Sequence, residues 1–105
     1  KTAASKRAVP PRAVDYNKAF LKDWQRLCHS GRFDMVRLKE AMVLLIANDV
    51  PLGPEWQDHN LKGEWADHRE CHIDGDFLLI YTLDDSAKRG MVVFVRSGTH
   101  SELFS

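Results

Sequence analysis

The spacing of the apolar residues changes halfway along the chain, and this change restricts the fold more than any other feature. Over residues 17–48 the apolar residues recur every three or four positions, which is the period of one buried helix face. A loop rich in proline and glycine follows over residues 50–63, and three strand-like runs come after it. Helices followed by consecutive strands predict an α+β domain.

Two amphipathic helices are predicted, and each has recognisable ends. The first begins after Asn17, runs to about Ser30 and ends at Gly31. The second begins after Asp34 and runs to about Asn48. Because their connection is only a few residues long, we expect an antiparallel helical hairpin. The predicted buried stripes comprise Phe20, Trp24, Leu27 and Cys28 in the first helix and Met35, Leu38, Met42, Leu45 and Ile46 in the second.

The strands complete the predicted topology. A short edge strand over residues 12–16 precedes the helices. Asp74 and Gly75 form a turn signal that predicts a hairpin between the first two of the later strands. The predicted order is therefore β-α-α-β-β-β, an antiparallel sheet with the helical hairpin on one face. The later strands are expected over residues 65–73, 77–83 and 91–96.

Charge is unevenly distributed along the 105 residues, although the formal net charge is zero. Residues 1–12 hold four basic residues and no acidic one, whereas residues 49–85 hold ten acidic residues. We expect residues 1–11 to be a flexible basic tail and residues 12–105 to form one domain. Since a protein that binds nucleic acid by itself is usually basic, the balanced charge argues against an autonomous nucleic-acid binder.

The sequence also predicts where the protein resides. It carries neither a signal-peptide pattern nor an apolar run of about 20 residues, the length of a membrane-spanning helix. Its two cysteines, Cys28 and Cys71, lack the CxxC spacing of a metal or redox site. They are interpreted as buried thiols of a reducing compartment, which predicts a cytoplasmic protein with no membrane partner.

Strand alternation predicts which side chains share a face of the sheet. It places His72 on the same face as Glu70, opposite the face of Cys71. On the last strand it places Arg96 on the face of Phe94. The order of the strands decides whether these faces coincide, and the sequence does not give that order.

The candidate catalytic residues are His72, Asp76, Arg96 and His100. Asp76 follows the predicted hairpin turn, and Gly98 allows the chain to bring His100 towards the sheet. Histidine exchanges a proton near neutral pH, and the planar arginine fork matches a phosphate. Each residue also has an ordinary structural explanation as a surface, capping or ion-paired side chain. Together they could cut a phosphodiester without a metal, so the set predicts a ribonuclease.

A metal site is not predicted. His68 and His72 are four residues apart, which would bring them together on a helix, but on a strand that spacing separates them by about 13 Å. The SGTH segment near the C-terminus lacks the spacing and the lysine of a phosphate-binding loop. We therefore expect neither a metal nor another cofactor.

Two segments point to a family: DHNLKGEWADHRECHIDGDFLLIY at residues 58–81 and RSGTHSELF at residues 96–104. With the order β-α-α-β-β-β, they resemble the YafQ-like branch of the RelE/ParE toxin superfamily over residues 12–105. The resemblance implies a RelE-like fold and a type II toxin–antitoxin toxin. Such a toxin enters the ribosomal A site and cuts mRNA there as a ribosome-dependent endoribonuclease, without a metal. Its partners would be the 70S ribosome with mRNA and a RelB/DinJ-like antitoxin, and the toxin alone is expected to be a monomer.

The resemblance also implies roles for individual residues. The family's catalytic residues match His72, Asp76, Arg96 and His100. The family's active-site histidines also match His59, which is expected to position the substrate, and its C-terminal aromatic residue matches Phe104. The residues expected to bind substrate are His59, Trp65, Phe77 and Phe104; Trp65 is included on its residue type, since an aromatic ring beside a phosphate site can stack on a base. Relatives commonly carry tryptophan at the position of Phe77, so this chain keeps an aromatic ring there and loses an indole N–H.

The expected reaction is attack of a ribose 2′-OH on the adjacent phosphorus. His100 is expected to be the general acid, and Arg96 to stabilise the charge on the pentacoordinate phosphorus. The general base is Asp76 or His72, and the sequence leaves both open. Two other functions stay open at this point: a non-nuclease inhibitor like the gyrase-poisoning ParE proteins, and a ribonuclease that acts without ribosomes.

Overall fold

The computed structural model describes residues 10–104 of the chain. Of the predicted basic tail, residues 1–9 lie outside the described residues, so that prediction is not tested. The regular elements, in chain order, are β1 (Ala13–Tyr16), α1 (Lys18–Ser30), α2 (Met35–Ala47), β2 (His59–Asn60), β3 (Arg69–Asp74), β4 (Phe77–Asp84), β5 (Met91–Thr99) and α3 (His100–Phe104). Single 3₁₀ turns at Pro54–Trp56 and Gly63–Trp65 flank β2.

The five strands form one sheet in the order β1-β5-β4-β3-β2. The predicted α+β class is confirmed, and the sheet is antiparallel except for the β1–β5 pair, which is parallel. The loop predicted over residues 50–63 contains β2, a two-residue strand that pairs with β3. The chain also ends in a helix, α3, which was not predicted.

The helix ends follow local signals with one exception, and one residue of a predicted buried stripe is misplaced. Gly31 takes the left-handed conformation after α1 (φ 69°), and the Asp34 carboxylate accepts a hydrogen bond from the Arg37 N–H at 2.9 Å. Asn17 precedes α1 without a side-chain capping bond. The prediction that Cys28 belongs to the buried stripe is wrong, because this thiol is exposed while Cys71 is buried.

The helices cover one face of the sheet, as predicted, and enclose the larger core. Its buried members come from both helices and from alternate positions of the strands: Phe20, Leu27, Leu38, Ala41, Met42, Leu45, Trp56, Cys71, Ile73, Phe77, Leu79, Tyr81, Val92 and Phe94. A smaller core lies on the opposite face and comprises Leu78, Ile80, Val95 and Leu103. Because α3 supplies Leu103, the C-terminal helix packs on the face that the hairpin leaves free.

Within residues 10–104, none of the helices combines the length and the apolarity that a bilayer-spanning helix needs.

Candidate active site

Three histidines form a continuous row on the sheet face opposite the helical hairpin. The ring centroids of His59 and His72 are 6.1 Å apart, and those of His72 and His100 are 6.0 Å apart. His59 lies on β2, His72 on β3 and His100 at the start of α3. Residues from three separate elements therefore meet at one surface, which sequence alternation by itself could not establish.

Asp76 holds the last histidine of this row. It lies in the turn between β3 and β4, where its Oδ1 accepts a hydrogen bond from the His100 backbone N–H at 3.1 Å and also bonds the ring Nδ1. These hydrogen bonds from His100 hold the pKa of Asp76 below its usual value. The carboxylate is therefore ionised at neutral pH, and Nε2 is the ring nitrogen left to face a substrate.

The backbone of α3 is fixed by a capping box. The Thr99 hydroxyl accepts from the Glu102 N–H at 3.2 Å, and the Glu102 carboxylate accepts from the Thr99 N–H at 2.8 Å. This arrangement makes His100 the first residue of the helix. The Thr-x-x-Glu signature was visible in the sequence and would have predicted α3.

Glu70 is a candidate functional residue that the sequence did not single out. Its side chain is 4 % exposed, yet its Oε2 lies 3.2 Å from His59 Nε2 and 3.6 Å from His72 Nε2. The other ring nitrogen of His59 bonds the Gln57 carbonyl oxygen at 2.8 Å. Alternation had already placed Glu70 beside His72, but its contact with His59 depends on β2, which was not predicted.

The same three side chains could hold a metal ion. Donor atoms of His59, Glu70 and His72 all lie within 4.8 Å of one another. Two imidazoles and a carboxylate are ligands that suit zinc or copper. His68, which strand spacing had already excluded as a metal partner of His72, does not join this group: its ring contacts that of Trp65, with centroids 5.3 Å apart.

Arg96 reaches the site face because of an irregularity in β5. The register between β4 and β5 shifts at Ile80, so that Arg96 lies opposite Ile80, a member of the smaller core. The prediction that Arg96 shares the face of Phe94 is therefore wrong: the bulged residue, Val95, shifts the alternation by one position.

The guanidinium of Arg96 binds helix α1 instead of the histidines. Its Nε donates to Asp23 Oδ2 at 2.7 Å and its Nη2 donates to Asp23 Oδ1 at 3.1 Å. This hydrogen bonding raises the pKa of Arg96 above its ordinary value. The structure thus brings His59, His72, Asp76 and His100 together. Arg96 lies on the same face of the sheet, and Asp23 binds one edge of its guanidinium group.

Asp23 is a buried charge with several partners. Burial raises the pKa of its carboxyl, but hydrogen bonds from Arg96, the Ser97 N–H and Arg26 lower it by more, so that the pKa lies below its usual value. The Ser97 and Arg26 contacts measure 3.0 Å each. Such an arrangement is stable only while the carboxyl is ionised and its donors are present.

This pKa direction predicts how stability depends on pH. A depressed carboxyl pKa stabilises the fold above the unfolded-state value, near 3.8, and that contribution is lost as the pH falls through the lower folded-state pKa. We expect Asp23→Asn to lower the free energy of unfolding near neutral pH. The difference from wild type should shrink as the pH falls from about 3.8 through the lower folded-state pKa, where folded Asp23 itself becomes neutral. Urea unfolding of both proteins across this range measures the difference, and a gap that widens in acid would contradict it.

The predicted aromatic residues divide into two groups. Trp65 and Phe104 make an edge contact with centroids 5.7 Å apart, and the Phe104 ring lies 5.9 Å from that of His100. Phe104 is 40 % exposed and can meet a base. Phe77 is 3 % exposed and packs against Phe33 in the larger core, with centroids 4.8 Å apart. The predicted contact of Phe77 with substrate is therefore wrong, because strand alternation turns this ring towards the helices.

A separate groove of about 560 Å³ lies between the end of α2 and the sheet, away from the histidines. At its base, the Tyr81 hydroxyl donates to Asp58 at 2.6 Å, and Arg69 pairs with the same carboxylate at 3.2 Å. Burial raises the pKa of Tyr81 well above its usual value. Because these polar groups already satisfy one another, the candidate active site is the histidine surface and not this groove.

The comparisons with known proteins agree on one family. A family profile described as "Bacterial toxin of type II toxin-antitoxin system, YafQ" matches residues 12–105. The chain is 40 % identical over 93 residues to the mRNA interferase toxin YafQ of Escherichia coli K12, an alignment that spans 89 % of this chain and 96 % of the relative.

Two solved structures extend the likeness to three dimensions. A toxin chain of the E. coli DinJ–YafQ toxin–antitoxin complex superposes with a TM-score of 0.77 at 38 % identity, covering 90 % of this chain and 99 % of that chain. A metal-bound toxin from Helicobacter pylori superposes with a TM-score of 0.76 at 39 % identity, covering 89 % and 99 %.

Proposed function

The chain belongs to the YafQ family of bacterial toxins of type II toxin–antitoxin systems, and we propose that it is an mRNA interferase that cuts mRNA on the ribosome, in the cytoplasm. The observation that carries this proposal is the row of His59, His72 and His100 beside Asp76. A protein that only binds a target needs no such set of proton-transfer groups. The mRNA interferase activity named for the E. coli relative supports the same function for this chain.

In the proposed reaction the ribose 2′-OH loses its proton to a base and attacks the adjacent phosphorus in line. The 5′-oxygen leaves after protonation, and the product carries a 2′,3′-cyclic phosphate. His100 is the acid, because Asp76 orients its ring through Nδ1 and neutralises the charge of the doubly protonated form. The geometry favours His72 over Asp76 as the base, since a carboxyl with a lowered pKa that is already bonded to His100 accepts a proton poorly.

The other residues of the surface bind and orient the substrate. Glu70 lies between His59 and His72. Its Oε2, 3.2 Å from His59 Nε2, orients the His59 ring, and the same oxygen lies 3.6 Å from His72 Nε2. Phe104 offers an exposed ring beside His100 on which a base can stack. Arg96 supplies guanidinium N–H groups for the phosphorane, where preorganised donors have their greatest effect.

The charge of the chain supports the proposed dependence on the ribosome. The formal net charge is zero, so this protein lacks the general positive potential with which nucleases attract free RNA. We propose that the ribosome presents the mRNA and thereby replaces that attraction. A DinJ-like antitoxin is the proposed inhibitory partner, by analogy with the E. coli complex.

The test is cleavage of mRNA on programmed ribosomes by toxin that has been stripped of metal with EDTA and then desalted. We expect codon-phased breaks by primer extension, no breaks in naked RNA, and no gain in rate when zinc is restored. Added zinc should instead slow cleavage, because binding at His59, Glu70 and His72 would occupy the lone pair that the base needs.

Each other outcome selects a different function. Activity that returns only with zinc would replace the proposed mechanism by a metal-dependent one. This outcome is tested because the similar toxin from H. pylori has been solved in a metal-bound form. Equal cleavage of naked RNA would remove the ribosome from the proposal. DNA damage in expressing cells without mRNA breaks would favour a ParE-like inhibitor.

A further inference from the structure

Asp23 lies outside the row of histidines, yet its surroundings tie it to the proposed chemistry. It is one of the few buried polar residues of the described chain, at 4 % exposure. Its two oxygens receive four donated hydrogen bonds, two from Arg96 and one each from Arg26 and the Ser97 N–H. A carboxylate satisfied so completely inside a protein has a fixed position.

The side chains of Asp23 and Arg26 bind backbone groups on an edge of β5. The pairing of β1 with β5 ends at Phe94, so within residues 10–104 no strand lies beside the edge of β5 beyond that point. There Asp23 accepts from the Ser97 N–H at 3.0 Å and Arg26 donates to the Ser97 carbonyl at 3.3 Å. Helix α1 thus satisfies the N–H and the carbonyl of Ser97, three residues before His100, and it fixes the backbone directly after Arg96.

Arg26 extends the same contact to α3. Its Nη1 donates to Glu102 at 2.8 Å, and Glu102 is the carboxylate of the capping box that begins α3. Gly98 makes this approach possible, because a Cβ there would lie 2.7 Å from Glu102 Oε1. The ion pairs therefore connect Arg96, α1 and the helix that carries His100.

The pairing of Arg96 leaves half of its guanidinium available. Arginine carries five N–H donors, and Asp23 engages the edge formed by Nε and Nη2. The second edge, formed by Nη1 and Nη2, has the same fork geometry and can bind two phosphate oxygens. A free arginine side chain would sample many rotamers, whereas this one is held by a buried group on a helix.

We propose that Asp23 is a positioning residue for RNA cleavage, which fixes Arg96 by one edge of its guanidinium so that the other edge meets the scissile phosphate. The inference rests on the proposed function, because it assigns Arg96 to the phosphorane. Asp23 is not expected to touch substrate or reacting atoms. It also binds Arg26 and the Ser97 N–H, and the proposal is that its effect on the cleavage rate passes through Arg96 and not through those two contacts.

A double-mutant cycle tests this dependence in single-turnover cleavage of ribosome-bound mRNA. We expect Asp23→Asn to lower the maximal rate on the order of 10- to 100-fold, the effect of a misplaced catalytic group, with the half-saturating ribosome concentration little changed. Arg96→Ala should lower the rate further, and Asp23→Asn should then add nothing in the Arg96→Ala background. A purely structural role would instead lower the rate by the same factor in both backgrounds.

A matched control exists at the end of β4 opposite to Asp76, where Asp85 follows the strand. Asp85 pairs with Arg12 through the same two atoms, with Nε–Oδ1 at 2.9 Å and Nη2–Oδ2 at 2.8 Å. We expect Asp85→Asn to leave cleavage unchanged. If Asp23→Asn does not fold by circular dichroism, Asp23→Glu keeps the charge and displaces it by one methylene, and the same non-additivity with Arg96→Ala is expected.

The outcomes separate this inference from the proposed function. A folded Asp23→Asn variant that cleaves at the wild-type rate, or equal losses in both backgrounds, overturns the positioning role. The proposed function stands in either case, provided that the wild-type protein cleaves ribosome-bound mRNA. If the wild-type protein itself does not cleave ribosome-bound mRNA, the proposed function fails and the positioning role fails with it.

Discussion

Replacing His100 by alanine is expected to lower single-turnover cleavage of ribosome-bound mRNA on the order of 10²- to 10⁴-fold, the usual contribution of a general acid. The fold should be unaffected, because the ring is 52 % exposed and the backbone N–H that bonds Asp76 remains. Primer-extension time courses measure the rate, and thermal unfolding checks the fold. His29→Ala is a suitable control, since that histidine is exposed on the last turn of α1.

A modified substrate distinguishes an acid from a residue that merely binds. When sulfur replaces the 5′-oxygen, the leaving group departs without a proton, so an acid is no longer needed. We expect His100→Ala to cleave this substrate at nearly the wild-type rate. Equal impairment on both substrates would mean that His100 binds or orients the RNA, and wild-type rates on the oxygen substrate would remove it from the mechanism.

Replacing Arg96 is expected to have the second large effect, and it should lower both the cleavage rate and the stability of the fold. Arg96→Ala should lower cleavage on the order of 10²- to 10³-fold, the loss typical of one preorganised donor to a developing charge. Arg96→Lys should also be strongly impaired, because a point charge cannot bind Asp23 and a phosphate with two parallel forks. Rates measured at saturating ribosomes give both values.

Arg96→Ala is also expected to reduce stability by about 1–3 kcal/mol, because it removes two of the four donors to the buried Asp23 carboxylate. Activity must therefore be measured at a temperature where urea or thermal unfolding shows the variant to be folded. Arg12→Lys provides the control, since Arg12 forms a similar carboxylate pair with Asp85, remote from the histidines. Full activity in folded Arg96→Ala would exclude phosphorane stabilisation by this residue.

Local signals predicted the elements that depend on neighbouring residues. The spacing of apolar residues placed α1 and α2 almost at their observed bounds, and the Asp74-Gly75 signal placed Asp76 in a tight turn. Alternation on β3 correctly separated His72 from Cys71. These features follow from interactions within a few residues of the chain, which the order of residues determines directly.

Other features depended on contacts between distant segments. The two-residue strand β2 is too short to carry a periodic signal, yet it brings His59 to Glu70. The bulge in β5 reversed the face of Arg96, because one extra residue shifts the alternation of all that follow. Phe77 was assigned to substrate by resemblance, but its ring completes the larger core against Phe33.

The sequence by itself thus determined which residues can exchange protons or bind phosphate, since that depends on side-chain type, and it determined most helices and strands. Only the tertiary structure decided which of these groups meet: His100 with Asp76, Glu70 with two histidines, and Arg96 with Asp23 across 73 positions of the chain. The physical reason is that sheet order, bulges and burial arise from packing between segments far apart in sequence, and no local pattern records the partner of a side chain across the fold.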